Sequence, residues 1–186
     1  MLIDVLTTFQ FPDGDAILQG ALKVRDTLLK LKTRARQAGI PVLYVNDNFG
    51  DWRSEKEVLM GRCLEAKGSQ FVRPLLPDSE DYFVLKPLHS AFYMTPLEVL
   101  LRHLEVETLI LTGLSSNSCI TVTAHDANMR GFDIYIPPDC SCARNSEEHS
   151  QALAQLKAMA GADIKRSPSL NLPRLIRAAH NSKLGE

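Results

Sequence analysis

Thr108-Leu-Ile-Leu-Thr-Gly-Leu114 runs into Ser115-Ser-Asn-Ser118, then Cys119, then Ile120 to Arg130. An apolar run, a small-polar turn and a helix-like run closed by Gly131 make a strand, a tight turn and a helix, with a cysteine in the helix's first turn. The positive end of the helix dipole and the unpaired N–H groups of a first turn both favour thiolate. A thiol so placed is a candidate nucleophile. The same position also suits a small buried apolar residue, the usual fate of free cysteine.

Outward from this segment the pattern repeats. Met1-Leu-Ile3 ends in Asp4, and Tyr82-Phe-Val-Leu85 ends in Lys86, so each charge closes a strand-like run. In an open parallel sheet the carboxyl ends of strands line the ligand crevice. An acid, a cation and a thiol are therefore expected on one rim, although either charge alone reads more readily as an ordinary strand end. The remaining elements alternate. A helix over 16–38 is closed by Gly39, and Ile40 to Val45 is a strand. Ser54-Glu-Lys-Glu57 is a capping box opening a helix to Leu64, and 67–79 is a loop. A second box, Thr95-Pro-Leu-Glu98, opens a helix to His103. A strand over 132–136, a helix over 147–159, a short last strand at 162–164 and a helical tail over 173–180 complete the chain. Strands alternating with helices predict one domain over 1–186: a three-layer α/β/α sandwich of Rossmann-like type with a mainly parallel, about six-stranded sheet.

Three stretches together resemble the isochorismatase-like cysteine hydrolases. They are Leu2-Ile-Asp4 continuing to Phe9, Leu85-Lys-Pro-Leu-His-Ser-Ala-Phe92, and Leu111-Thr-Gly-Leu-Ser-Ser-Asn-Ser-Cys119 continuing through Ala124-His-Asp-Ala127. The resemblance spans Leu2 to about Ile164. It implies that Cys119 attacks a carbonyl carbon, that Asp4 takes the thiol proton and returns it to the leaving amine, and that Lys86 holds both in register. It also implies a cis peptide joining Leu114 and Ser115, with the backbone N–H groups of Ser115 and Cys119 as the oxyanion hole. No cofactor is implied. Where many members have Gln and then Asn or Asp after the aspartate, this chain has Leu6, Thr7 and Thr8. Where nicotinamidase-type members carry an Asp-x-His metal site, it has Asp47-Asn-Phe49, and phenylalanine cannot ligate a metal. The first strand starts at Met1, which leaves room for an upstream start in the native gene.

Candidate substrate contacts are Phe9, Asn46, Asn48, Trp52, His89 and Phe92. His89 lies three residues after Lys86, at the crevice, and should not be the base, since Asp4 fills that role by resemblance. Asn46, Asn48 and Trp52 belong to the segment after the second strand, which walls a pocket or serves equally as a surface loop or subunit contact. His103 and His149 are expected on exposed helix faces, and Lys30, Lys32, Arg34 and Arg36 on a solvated one.

Composition excludes several function classes. The 186 residues carry a net charge of −1, with 45% hydrophobic and 23% charged residues. That gives no electrostatic footprint for nucleic acid. No apolar stretch reaches about 18 residues, so no membrane span is expected, and the N-terminus lacks a secretory pattern. Four cysteines at 63, 119, 140 and 142 form neither a disulfide framework nor a zinc site, which suits a reducing cytoplasm. The expected partner is a small molecule. The family's habit and the apolar tail 170–179 add a homo-oligomer, a dimer or larger. The leading reading is hydrolysis of a C–N bond in a small amide, carbamoyl or ureide substrate through a thioester. The alternatives are a vinyl ether hydrolase of isochorismatase type and a non-catalytic binding or assembly domain.

Overall fold

The structure, a computed structural model, describes residues 1–53 and 55–176. In chain order its elements are β1 (Leu2–Ile3), α1 (Gly14–Gln37), β2 (Leu43–Asp47), α2 (Lys56–Glu65), α3 (Ser69–Val72), β3 (Tyr82–Lys86) and α4 (Leu97–His103). They continue through β4 (Thr108–Ile110), β5 (Thr112–Leu114), α5 (Cys119–Met129), β6 (Asp133–Tyr135), β7 (Ser141–Cys142) and α6 (Ser146–Met159). Strands β3-β2-β1-β5-β7 form a five-stranded sheet, and β4 pairs with β6. Every one of these pairings is parallel.

The sheet differs from the expected six-stranded one because its middle strand changes partner. The run Thr108 to Leu114 is read in sequence as one strand. Leu111 donates its N–H to Tyr135 O at 2.8 Å, while Thr112 donates to Met1 O at 3.1 Å. The first half therefore belongs with β6, and the second half lies between β1 and β7. The expected last strand is reduced to a single bridge between Tyr135 and Asp163. The expected loop over 67–79 contains α3 and a 3₁₀ turn, Arg73–Leu75. The first capping box falls partly on Ser54, outside the described residues. The second caps through Thr95, whose hydroxyl accepts from Leu97 N at 3.2 Å, while Glu98 is drawn to Arg102 and Arg130.

Strand side chains alternate faces, and this splits the interior into two cores. Leu2, Tyr44 and Leu114 face a layer built on Leu18, Leu28 and Leu31 of α1, with Leu59 and Phe71. Ile3, Leu43, Val45 and Leu111 face the opposite layer, with Leu101 of α4, Ile120 and Ala124 of α5 and Leu156 of α6. Three layers follow, as the sequence implied. The basic cluster on α1 is not the solvated face expected of it. Lys32 is buried and bridges Asp81 at 3.4 Å, and Arg34 donates to Ser167 O and Leu170 O, both at 2.8 Å. A long basic side chain buries wherever carbonyls or a carboxylate receive its charge.

The tail is also partly reassigned. Leu170 and Leu172 sit in the chain's own core, at 3% and 2% exposure, so they need no second subunit to cover them. Residues 172–176 are helical. The rest of the expected tail helix, to His180, lies outside the described residues. Among the described residues no helix is long and apolar enough to cross a membrane.

Candidate active site

The carboxyl ends of β1, β2 and β3 and the start of α5 meet at one point. Asp4 follows β1 directly and adopts a left-handed backbone, φ 51°, which Asp tolerates better than most residues. Its N–H donates to Val45 O at 2.9 Å, and its Oδ1 accepts from Asp47 N at 2.7 Å. Lys86 ends β3 opposite Asp47 in the ladder. Its side chain has no solvent exposure. Its Nζ lies 2.9 Å from Asp4 Oδ2, 3.5 Å from Asp47 Oδ2, 3.4 Å from Cys119 Sγ and 3.2 Å from Leu88 O.

Cys119 is the first residue of α5. It follows the turn that leaves β5, where Ser118 and Ile120 both donate to Ser115 O and the Leu114–Ser115 peptide is cis. That turn begins from a close approach. A Cβ on Gly113 would stand 2.1 Å from Ile3 O, and its φ of 108° favours glycine independently. As the opening residue of a helix, Cys119 has no helical acceptor for its N–H.

Burial and charge set the protonation pattern. Burial pushes the Cys119 thiol up to about 12, and the Asp4 carboxylate adds to this; Lys86 pulls the other way. Burial also raises Asp4 above the ordinary carboxylate range, against the pull of Lys86 and of the thiol's hydrogen bond. Burial alone would lower Lys86, but Asp4, Cys119 and Asp47 together hold it above its usual value. Burial and the Asp4 carboxylate thus oppose the thiolate expected at the helix start, and Lys86 favours it.

Residues 1–166 match the isochorismatase domain family. The chain belongs to the isochorismatase family. It is 34% identical over 164 residues to the uncharacterized isochorismatase family protein YaaI of Bacillus subtilis, covering 88% of this chain and 91% of that one. It is 28% identical over 189 residues to the ureidoacrylate amidohydrolase RutB of Methylobacterium radiotolerans, covering 87% and 73%. Among solved structures, the N-carbamoylsarcosine amidase from Thermoplasma acidophilum superposes with a TM-score of 0.70 at 25% identity, over 91% of this chain and 96% of that one.

Of the substrate contacts expected for this family member, the structure brings one to the thiol. His89 is exposed, with Nδ1 3.7 Å from Cys119 Sγ and 3.4 Å from Ser118 Oγ. Four others are engaged by the protein's own packing and backbone. Phe9 is fully buried against Phe71 in an edge-on contact at 5.7 Å, so it packs the core. Phe92 stacks on Phe132 at 5.9 Å beneath the Arg130 guanidinium. Asn46 has no exposure and spends its amide on Leu6, donating to the carbonyl at 2.7 Å and accepting from the N–H at 3.5 Å. Asn48 closes a turn by accepting from Gly50 N at 2.9 Å. Buried amides are claimed by nearby backbone before a ligand can use them. Trp52 is 83% exposed, its ring standing in solvent.

Sequence reasoning passed over Asp47, treating it only as the remnant of a metal motif. The sequence signal was partial: Asn46 separates Asp47 from the apolar run that ends at Val45, and only the ladder places it opposite Lys86. The donors here do not suit a metal, since Asp47 is engaged by Lys86 and Phe49 supplies no ligand atom. Among the described residues no group of three or more His, Cys, Asp or Glu is placed to hold one. His149 is likewise not on an exposed face. It is half-buried, with Nδ1 2.9 Å from Ser116 Oγ and Nε2 3.1 Å from Pro138 O.

Proposed function

We propose that this chain is a cysteine hydrolase that cleaves the C–N bond of a small amide, carbamoyl or ureide substrate through a thioester, with Asp4, Lys86 and Cys119 as its triad. The observation that carries this reading is the fully buried Lys86 ammonium, within 2.9 Å of Asp4 and 3.4 Å of Cys119. Taking one ion out of water costs several kcal/mol, and here it is set where two acidic partners share a proton.

Asp4 removes the thiol proton as Sγ attacks the carbonyl carbon. Negative charge moves to the carbonyl oxygen, which the N–H groups of Ser115 and Cys119 receive; one such donor is worth roughly 3 kcal/mol. Collapse of the tetrahedral adduct breaks the C–N bond, and Asp4 returns its proton to the departing nitrogen. Water, deprotonated by Asp4, then hydrolyses the thioester, and the proton goes back to sulfur. Lys86 cannot act as a base while charged, because an ammonium has no acceptor. Its work is electrostatic, and Asp47 helps keep it charged. His89 flanks the thiol as a substrate contact. Amide and ureide cleavage is the activity of the relatives RutB and N-carbamoylsarcosine amidase, and it comes to this chain as a proposal.

A panel of small amides, carbamoylated amines and ureides, read by ammonia release beside Cys119→Ala, tests the reading. Ammonia release lost only in the variant supports it. Pyruvate-type products from a vinyl ether, unaffected by that variant, would move the chain to acid-catalysed chemistry that needs no thiol. The same reading takes residues 1–186 as one hydrolase domain working in a reducing cytoplasm, where the four cysteines stand free. It also takes the protein as at least a dimer. With Leu170 and Leu172 buried internally, that last point rests on family habit and on exposed apolar residues such as Met94 and Met129. Light scattering returning a monomer mass would remove it.

A further inference from the structure

Ser116 lies between the two backbone donors assigned to the oxyanion, one residue after Ser115 and three before Cys119. It is fully buried and held from three elements. Its N–H donates to Cys142 O of β7 at 2.8 Å. Its carbonyl accepts from Thr121 Oγ1 of α5 at 2.5 Å. Its hydroxyl meets His149 Nδ1 of α6 at 2.9 Å. The backbone contacts tie the turn to β7 and α5, and the hydroxyl contact ties it to α6.

The tautomer follows from the partners. A carbonyl only accepts, so the contact of 3.1 Å to Pro138 O requires hydrogen on Nε2. In a neutral imidazole Nδ1 is then bare and accepts from the Ser116 hydroxyl. Burial holds His149 below the ordinary imidazole value, against the pull of the Pro138 carbonyl, so the ring is neutral near pH 7. The 3₁₀ turn Pro138–Cys140 and helix α6 thus act on the nucleophile turn through one ring.

We infer that His149 is a positioning residue: clamped by the Pro138 carbonyl, its neutral ring holds the Ser116 hydroxyl and so aims the Ser115 and Cys119 N–H groups at the oxyanion. This rests on the thiol-nucleophile reading above. Oxyanion donors act over a narrow window of about 2.7–3.1 Å, and misplacement by about 1 Å can cost roughly 10²-fold. Loss of the clamp should therefore slow acyl transfer and leave binding alone.

The test needs no natural substrate. 4-Nitrophenyl acetate acylates a competent thiol and releases 4-nitrophenolate, so the acylation rate can be followed at increasing ester concentration. His149→Phe and Ser116→Ala should each slow acylation by roughly 10–10²-fold, with the half-saturating concentration unchanged. The double variant should be no slower than the slower single, because one bond links the two. His149→Asn, which returns an acceptor near the Nδ1 position, should recover most of the loss. Nitrogen-15 spectra of histidine-labelled protein should show His149 protonated on Nε2 and bare on Nδ1, with the Nδ1 signal moving in Ser116→Ala. Wild-type rates in both single variants, multiplying losses in the double, no recovery in the Asn variant, or a proton on Nδ1 would each overturn the assignment. If the wild-type protein releases no more nitrophenolate than Cys119→Ala, the nucleophile itself is wrong and the clamp falls with it. A fast wild type with unaffected variants would remove only the clamp.

Discussion

The two ends of the parallel sheet were built to opposite rules. At the carboxyl ends of β1, β2 and β3, an ammonium and two carboxylates crowd a thiol. At the amino ends lies a cavity of about 310 Å³, lined by groups such as Leu28, Leu31, Ile40, Val42 and Leu109. By volume and apolar lining the second is the more inviting ligand site. It offers little to do chemistry with, since its lining is largely aliphatic. The carboxyl end spends several kcal/mol per desolvated ion to bring an ammonium within 2.9 Å of one carboxylate and 3.4 Å of a thiol. On the proposed function, converging charge marks the reactive end better than cavity size does. If so, substitutions at one end should change turnover with the fold intact, and substitutions at the other should change stability with turnover intact.

The largest effect is expected at the thiol. Cys119→Ala should abolish thioester chemistry, and Asp4→Asn, which keeps shape but cannot accept the proton, should cost roughly 10²–10⁴-fold in turnover. Because the residues act as one unit, the double variant should be hardly worse than Cys119→Ala alone. Circular dichroism should show each variant folded. A double loss equal to the product of the single losses would give Asp4 a separate task such as substrate binding.

The next effect is a shift along the pH axis. Asp4 must be ionised to accept the thiol proton, so activity falls as pH drops through its pKa. Burial raises that pKa, against Lys86. The acid limb of kcat/KM should therefore lie above the ordinary aspartate value of about 3.9. In Lys86→Met the cation that holds it down is gone, and the limb should move further up. A limb at or below the ordinary value in the wild-type protein would mean that burial does not dominate at Asp4.

How much of this was legible beforehand depends on what each residue type can signal. The convergence of Asp4, Lys86 and Cys119 was readable because a charge closing each of two apolar runs, and a thiol opening the helix after a third, point to one sheet rim. Asp47 is separated from such a run by Asn46, and its neighbours suggested a degraded metal motif. The packing of Phe9, Phe92, Asn46 and Asn48 was not legible for a different reason. Sequence order placed them near the crevice, but whether a ring or an amide turns inward is decided by packing partners far along the chain, such as Phe71 for Phe9 and Leu6 for Asn46. The partner switch at Leu111 was equally hidden, since an unbroken apolar run does not record which neighbour each half pairs with. His149 looked exposed because helical spacing alone does not reveal that the Pro138–Cys140 turn and Ser116 cover it.

At the amino end the expected effect is on stability. Leu31 is 4% exposed and lines the cavity. Leu31→Ala should lower unfolding free energy by about 2–5 kcal/mol, toward the low end because the neighbouring space already gives the site room to relax. Denaturant unfolding reads this, and acylation by 4-nitrophenyl acetate under native conditions should be unchanged. A matching loss of acylation would couple the two ends and undo the contrast.

The smallest effect decides whether Phe9 belongs to the core or to the crevice. A Cβ placed on Gly68 would come within 2.2 Å of Phe9 Cδ2 and 2.6 Å of Cε2. The ring is fully buried and held edge-on by Phe71, so it cannot swing into solvent to make room. Overpacking of this kind costs about 1–3 kcal/mol. Two terms bear on the net result. The backbone at Gly68, φ −84° and ψ 4°, is open to any residue, so no conformational penalty adds to the clash. Replacing glycine also removes freedom from the unfolded chain, which returns about 0.4–1 kcal/mol. Gly68→Ala should therefore destabilise by about 1–2 kcal/mol after this offset, with acylation of Cys119 unaffected. Phe9→Leu in the same chain should relieve the clash, so the pair should lose less than the sum of the single losses. If Gly68→Ala instead leaves stability untouched and slows acylation, the Phe9 ring reaches the reacting thiol, and the boundary between packing and chemistry at the end of β1 has to be redrawn.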